Sequence, residues 1–166
     1  MNQTNHWAAL RALLGVALLC CAGTAFAQIN VFLKIDGLPG DSIDIRHRNE
    51  IVLTGYSQSF GDRNCSRVVA TKQIDRASPG LISRAASNQR IPQAIITMSR
   101  ATGGGAFDFF TATLDQVLVD KIEIAEQSDQ LVERVVLVPR VVTIQYRPQD
   151  EKGQLGAPVT TSIACN

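Results

Sequence analysis

The sequence predicts a mainly β protein: an antiparallel two-sheet sandwich or barrel with one short flanking α-helix. Three observations carry this. Apolar and polar residues alternate at period two through most of the chain. Turn-forming clusters ("DGLPGDS", "GDRN", "TGGG") interrupt those runs at short intervals. One stretch alone, "DRASPGLISRAASNQ", switches to helical spacing.

The first 27 residues stand outside that pattern. Arg11 is the only Lys or Arg before Lys34, and the apolar run "ALLGVALLCCAG" follows it. "AFA" at Ala25–Ala27 then places small residues at both signal-peptidase positions. This reads as a secretory signal peptide, 1–27, cut between Ala27 and Gln28. The run is too short for a spanning helix, so no membrane attachment is expected after cleavage. The remaining domain, 28–166, is then exported to the periplasm or beyond the cell.

Within the domain, Ile29–Ile35 ("INVFLKI") is a first strand. A polar loop leads to a second, "EIVLTGYSQSF" (50–60), and "CSRVVATKQI" (65–74) is a third. Ser78 suits an N-cap and Pro79 the first helical position. Leu81, Ile82, Ala85 and Ala86 form an apolar stripe, and Asn88 is a stop. "RIPQAIITMSRA" returns to strand. "TGGG" lacks the Lys and following helix of a phosphate loop and reads as a hairpin turn. "AFDFFTATL", "QVLVDKIEIAEQ" and the long "LVERVVLVPRVVTIQYRP" complete the strands, with Pro139 marking a bulge or an edge. "FDFF" is apolar on both faces, which implies burial on both sides, under the helix or a neighbouring subunit.

Function is bounded mostly by what is missing. After cleavage, 15 Lys and Arg face 15 Asp and Glu, so no basic excess exists for nucleic acid. His47 is the domain's only histidine; with Glu50 it makes two possible ligands where zinc needs three or four. No serine has a nucleophile-elbow context. No catalytic residue, metal or cofactor is expected. Only Cys65 and Cys165 survive cleavage. An even pair in an exported chain reads as a disulfide, with two separate thiols as the alternative.

The motifs "VFLKIDGLPGDS", "HRNEIVLTGYSQSF", "TKQIDRASPGL", "IPQAIITM", "FFTATLDQVLVDKIEI" and "ERVVLVPRVVTIQYRPQDEKGQLG" occur in that order across 30–158. Together they resemble the Hcp family, the haemolysin-coregulated tube proteins of bacterial type VI secretion. The resemblance implies a β-barrel of two sheets with a helix beside it. It implies a homohexameric ring, and rings stacked into a tube that a contractile sheath and its spike propel, with effector cargo in the lumen. It places Ser57 as a candidate lumen residue. It makes the loop carrying Asp36, Asp41, Asp44, Arg46 and Arg48 a candidate contact between stacked rings. Such tube proteins are usually made without a signal peptide. A second reading is therefore an exported Hcp-like module for binding or adhesion, without a tube.

Overall fold

The computed structural model describes residues 28–61, 64–65, 67–102, 105–150 and 154–165, with backbone alone at 64, 65 and 102. The expected signal peptide, Ala27 included, lies outside the described residues; Gln28 is the first within them.

Eleven strands and one helix follow in the order β1 (Ile29–Ile35), β2 (Ile51–Leu53), β3 (Gly55–Ser57), β4 (Phe60–Gly61), β5 (Asn64–Cys65), β6 (Val68–Gln73), α1 (Ser78–Ser87), β7 (Ile91–Thr102), β8 (Gly105–Gln127), β9 (Gln130–Val138), β10 (Val141–Tyr146) and β11 (Val159–Ala164) among the described residues. Nine of the strands make one sheet along the path β2-β1-β7-β8-β9-β6-β3. There β10 branches from β8 and carries β11, while β4 and β5 pair separately. Every pairing is antiparallel.

The organiser is β8, 23 residues long. Its first half pairs with β7 and β10, its second with β9. The change of partner falls between Val117 and Leu118, just after Gln116, whose φ of 53° lies in the left-handed region. A second irregularity follows between Val119 and Lys121. The bend lets both halves face one core of Leu33, Ile51, Leu81, Ile96, Leu114 and Leu137, among others. The ends of the path, β2 and β3, are joined by no ladder. They are consecutive in the chain, and Thr54 between them donates its N–H to the Thr71 carbonyl at 2.8 Å. The sheet is thus open in its hydrogen bonding, and its two ends meet through a covalent corner.

Several expected elements divide or merge. The second strand breaks at Thr54, because Ile51 and Leu53 face the core on β2 while the chain must turn to reach β6. Cys65 leaves the third strand for the β4–β5 hairpin. "AFDFFTATL" and "QVLVDKIEIAEQ" fuse into β8, since the chain bends there without breaking. Pro139 is a buried corner between β9 and β10. The tail before Cys165 is a strand, β11. A bulge opposite Met98 and Ser99 makes Phe109 the unpaired extra residue. Phe110 packs on the core, and Arg100 lies 5.0 Å over the Phe109 ring.

The helix has its expected length and its left-handed stop at Asn88 (φ 52°). Of the apolar stripe, Leu81 is buried and Ala85 packs against the core, while Ile82 and Ala86 face outward. Ser78 is not the N-cap; Ala77 holds that position. Asp75 takes over the local capping, its Oδ1 accepting the Ala77 N–H at 2.9 Å. The Ser78 hydroxyl is drawn into a buried ionic cluster. Lys72 Nζ contacts Ser78 Oγ at 2.9 Å, Asp75 Oδ1 at 2.8 Å and Glu133 Oε2, and Ser78 Oγ donates to Glu133 at 2.6 Å. This cluster pins the start of α1 to β6 and β9.

Candidate functional site: a clamped, displayed loop

The segment 36–50 leaves β1 at a turn with Gly37 at φ 80° and doubles back on itself before β2. Its base is a short backbone ladder. Gly40 N–H donates to Asn49 O (2.8 Å), Asn49 N–H to Ser42 O (2.9 Å) and Ser42 N–H to Glu50 O (3.0 Å). Gly40 is required there: a Cβ would lie 2.5 Å from Glu50 O and Ile51 Cα.

Two clamps hold this base. On one side Arg76, just before α1, binds Asp41 Oδ1 (2.5 Å), the Gly40 carbonyl and Asn49 Oδ1 (3.2 Å). On the other side the loop covers the outer face of β1, β7 and β8. His47 is buried there, its ring stacked 4.2 Å from Phe32 at 12°. Its Nδ1 lies 2.9 Å from Glu50 Oε2 and its Nε2 3.1 Å from Asp108 Oδ1. Arg46 donates to the same Asp108 oxygen at 3.0 Å and to Ser99 Oγ at 2.6 Å. Phe32 and Ser99 are thereby buried on the side away from the main core. At "FDFF" itself Phe107, Phe109 and Phe110 are all half-buried, and Phe110 packs against the core.

Between the clamps the apex is shaped by Asp44, whose Oδ1 accepts the N–H groups of Arg46 (2.9 Å) and His47 (3.2 Å). The Arg46 N–H bond, against some cost of burial, holds this carboxyl below its ordinary value. The His47 N–H and the positive charge of both side chains add to the effect. With Asp44 turned inward, its neighbours Ile43 and Ile45 point out, 89% and 95% exposed.

The five charged residues expected to mark this loop thus part company. Asp41, Asp44 and Arg46 bind groups of their own chain, whereas Asp36 and Arg48 are exposed and join neither clamp. What the sequence reading passed over are the apex isoleucines and the anchors Arg76, Ser99 and Asp108. The isoleucines had a visible signal, two large apolar residues alternating inside a polar loop. The anchors had none, being separated from the loop by tens of residues.

The other expected sites lie apart. Ser57 is exposed on β3, paired with Val69. Its neighbour Tyr56 turns inward against the core, and burial pushes that phenol up to about 12. Cys165 is half-buried against the core, its N–H bonded to Arg140 O at 2.7 Å. It follows β11, which lies against β5, the strand ending at Cys65.

Together these features define an antiparallel β protein, with one helix pinned by a buried ionic cluster, that displays a rigidly anchored, apolar-tipped loop. The family model described as "Type VI secretion system effector, Hcp" matches residues 32–146. The chain belongs to this family. It is 32% identical over 148 residues to Protein hcp1 of Pseudomonas aeruginosa, covering 79% of this chain and 91% of that protein. Among solved structures it is similar to Hcp1 from Salmonella typhimurium, with a TM-score of 0.73 and 29% identity over 84% of this chain and 95% of that one. It is also similar to Hcp2 from the same organism, with a TM-score of 0.70 and 26% identity over 81% and 94%.

Proposed function

We propose that this chain is a structural subunit of type VI secretion, not an enzyme. In this reading each copy forms a two-sheet barrel, copies close into a homohexameric ring, and rings stack into a tube. The lumen holds effector cargo, Ser57 lies on its wall, and the sheath and spike are the tube's partners. Residues 1–27 direct export, the cut falls between Ala27 and Gln28, and Cys65 and Cys165 are bridged. The closeness of β11 to β5 supports that bridge.

The observation that carries the reading is the displayed loop. Two isoleucines almost fully in water at the tip of an anchored loop have their use in contact with another surface. In a homomeric stack that surface belongs to a second copy in a heterologous arrangement, which propagates instead of closing. The charges of Asp36 and Arg48 flank the contact.

The test is electron microscopy of the purified full chain beside an Ile43→Asp, Ile45→Asp variant. Wild type should give rings and stacked rings; the variant should give rings that no longer stack. A wild-type product that is monomeric, begins at Gln28 and carries the Cys65–Cys165 bridge would sink the tube reading. It would leave the exported binding or adhesion module in its place.

A further inference from the structure

The last strand, β11, lies at an open edge of the sheet. Among the described residues it pairs with β10 alone, and β5, two residues long, lies against it but pairs with β4. The Cys165 N–H donates to the Arg140 carbonyl, and the direction of the backbone groups alternates along the strand from there. Val159, Thr161 and Ile163 therefore turn their N–H and C=O groups toward β10, and Thr160 and Ser162 turn theirs outward.

Proteins guard edge strands with short length, charge, proline or a bulge. The far half of β8, beyond Leu118, carries Asp120, Lys121, Glu123 and Glu126, and β2 and β3 have only three residues each. β11 has six residues, no proline within it and an even register with β10, and no charged residue lies anywhere between Gln154 and Asn166. Val159 is 67% exposed, beside the exposed Tyr146 that faces it on β10.

We propose that β11 adds to β11 of a second copy of this chain, antiparallel, with the two-fold axis at Thr161, so that one sheet runs through both subunits. The run "VTTSI" (159–163) reads the same in both directions by side-chain type: a β-branched aliphatic at each end, a hydroxyl at each next position and Thr161 in the middle. Pairing about Thr161 sets Thr160 opposite Ser162 of the second copy, where the outward backbone groups exchange both their hydrogen bonds. It sets Thr161 opposite Thr161, and Val159 opposite Ile163, at the positions without hydrogen bonds, where facing side chains come closest and such pairs are favourable. An axis at Ser162 would instead set Thr161 against Ile163. This symmetry selects a second copy as the occupant, because an isologous contact needs a surface complementary to itself. A two-fold contact closes on itself, so it pairs subunits, or rings side by side, and needs neither the loop apex nor a stack.

The experiment is sedimentation equilibrium of the full chain at rising concentration, with the native edge, with Thr161→Lys and with Thr161→Glu. All three carry Ile43→Asp and Ile45→Asp, so that stacking through the loop does not add to the mass. The native edge should double the mass, whether the unit is one subunit or one ring. In either charged variant like charges meet across the axis, and doubling should need about tenfold more protein. An equimolar mixture of the two should double as the native edge does, which a misfolded variant cannot do. Hydrogen exchange is the second readout: the amides of Thr160 and Ser162 should slow only in the doubled species. A native edge that never doubles, doubling indifferent to both charges, or a mixture no better than its components would overturn the pairing. So would slow exchange of those amides in an undoubled species, because another segment or another protein would then cover the edge. Doubling of a species that is not a ring keeps the pairing and sinks the tube reading; rings that never double do the reverse.

Discussion

Lys72 and Glu133 are both fully buried, and each is the other's chief compensation. Removing one partner leaves a charge without solvent or counter-ion, so Lys72→Met should cost about 3–5 kcal/mol in chemical denaturation. Lys72→Met with Glu133→Leu should recover part of that loss, because the fully buried Glu133 charge goes with its partner and Asp75 alone is left without the lysine. A double variant as unstable as the single one would show the cluster to be a net source of stability. Tyr56 makes a different test. The folded state holds its phenol proton more tightly than the unfolded chain does, so this contribution is intact below about pH 10. It is lost as pH rises toward about 12. Alkaline unfolding curves of Tyr56→Phe should lack that decline; an unchanged decline would mean that another group causes it.

Among the elements, β8 shows best what a sequence can hide. Its alternation is plain on either side of Gln116, and the change of phase reads as the boundary between two strands. The backbone instead runs on through a left-handed residue and pairs with new partners. Gln116→Gly should therefore leave thermal stability unchanged or slightly higher. Gln116→Val, β-branched in a left-handed position, should cost about 1–2 kcal/mol. Equal effects of the two would mean that the bend does not depend on that conformation. The helix was legible almost to the residue, because Pro79 and Asn88 act locally. The role of Ser78 was not, because its partner Glu133 lies 55 positions away. The loop was legible as a loop, and its rigidity was not, since Ser99 and Asp108 meet it only through the pairing of β7 and β8, and Arg76 comes from the far end of β6. β11 escaped notice because its run "VTTSIA" is short and its exposed side chains show no buried face.

At the scale of the whole molecule, a Cys65–Cys165 bridge would close a loop of about 100 residues and contribute up to about 4–5 kcal/mol through the unfolded state. Thermal unfolding of the oxidised protein should fall by several degrees on adding a reductant, and a Cys65→Ser, Cys165→Ser variant should be indifferent to it. A wild type equally indifferent would leave the two cysteines as separate thiols.

What the sequence by itself determined is what depends on neighbours along the chain. Period-two alternation set the β class, Pro and Asn set the ends of the helix, and six ordered motifs pointed to the family that the comparisons then showed. The tertiary structure decided what depends on distant partners: where β8 turns, which face Phe32 and Ser99 are buried on, and how His47 comes to lie between two carboxylates. The physical reason is the same in each case. Local propensity acts over a few residues, whereas the loop's geometry comes from tertiary contacts that bring Arg46 and His47 against Ser99 and Asp108, and residues 40, 41 and 49 against Arg76, and no local pattern encodes those contacts.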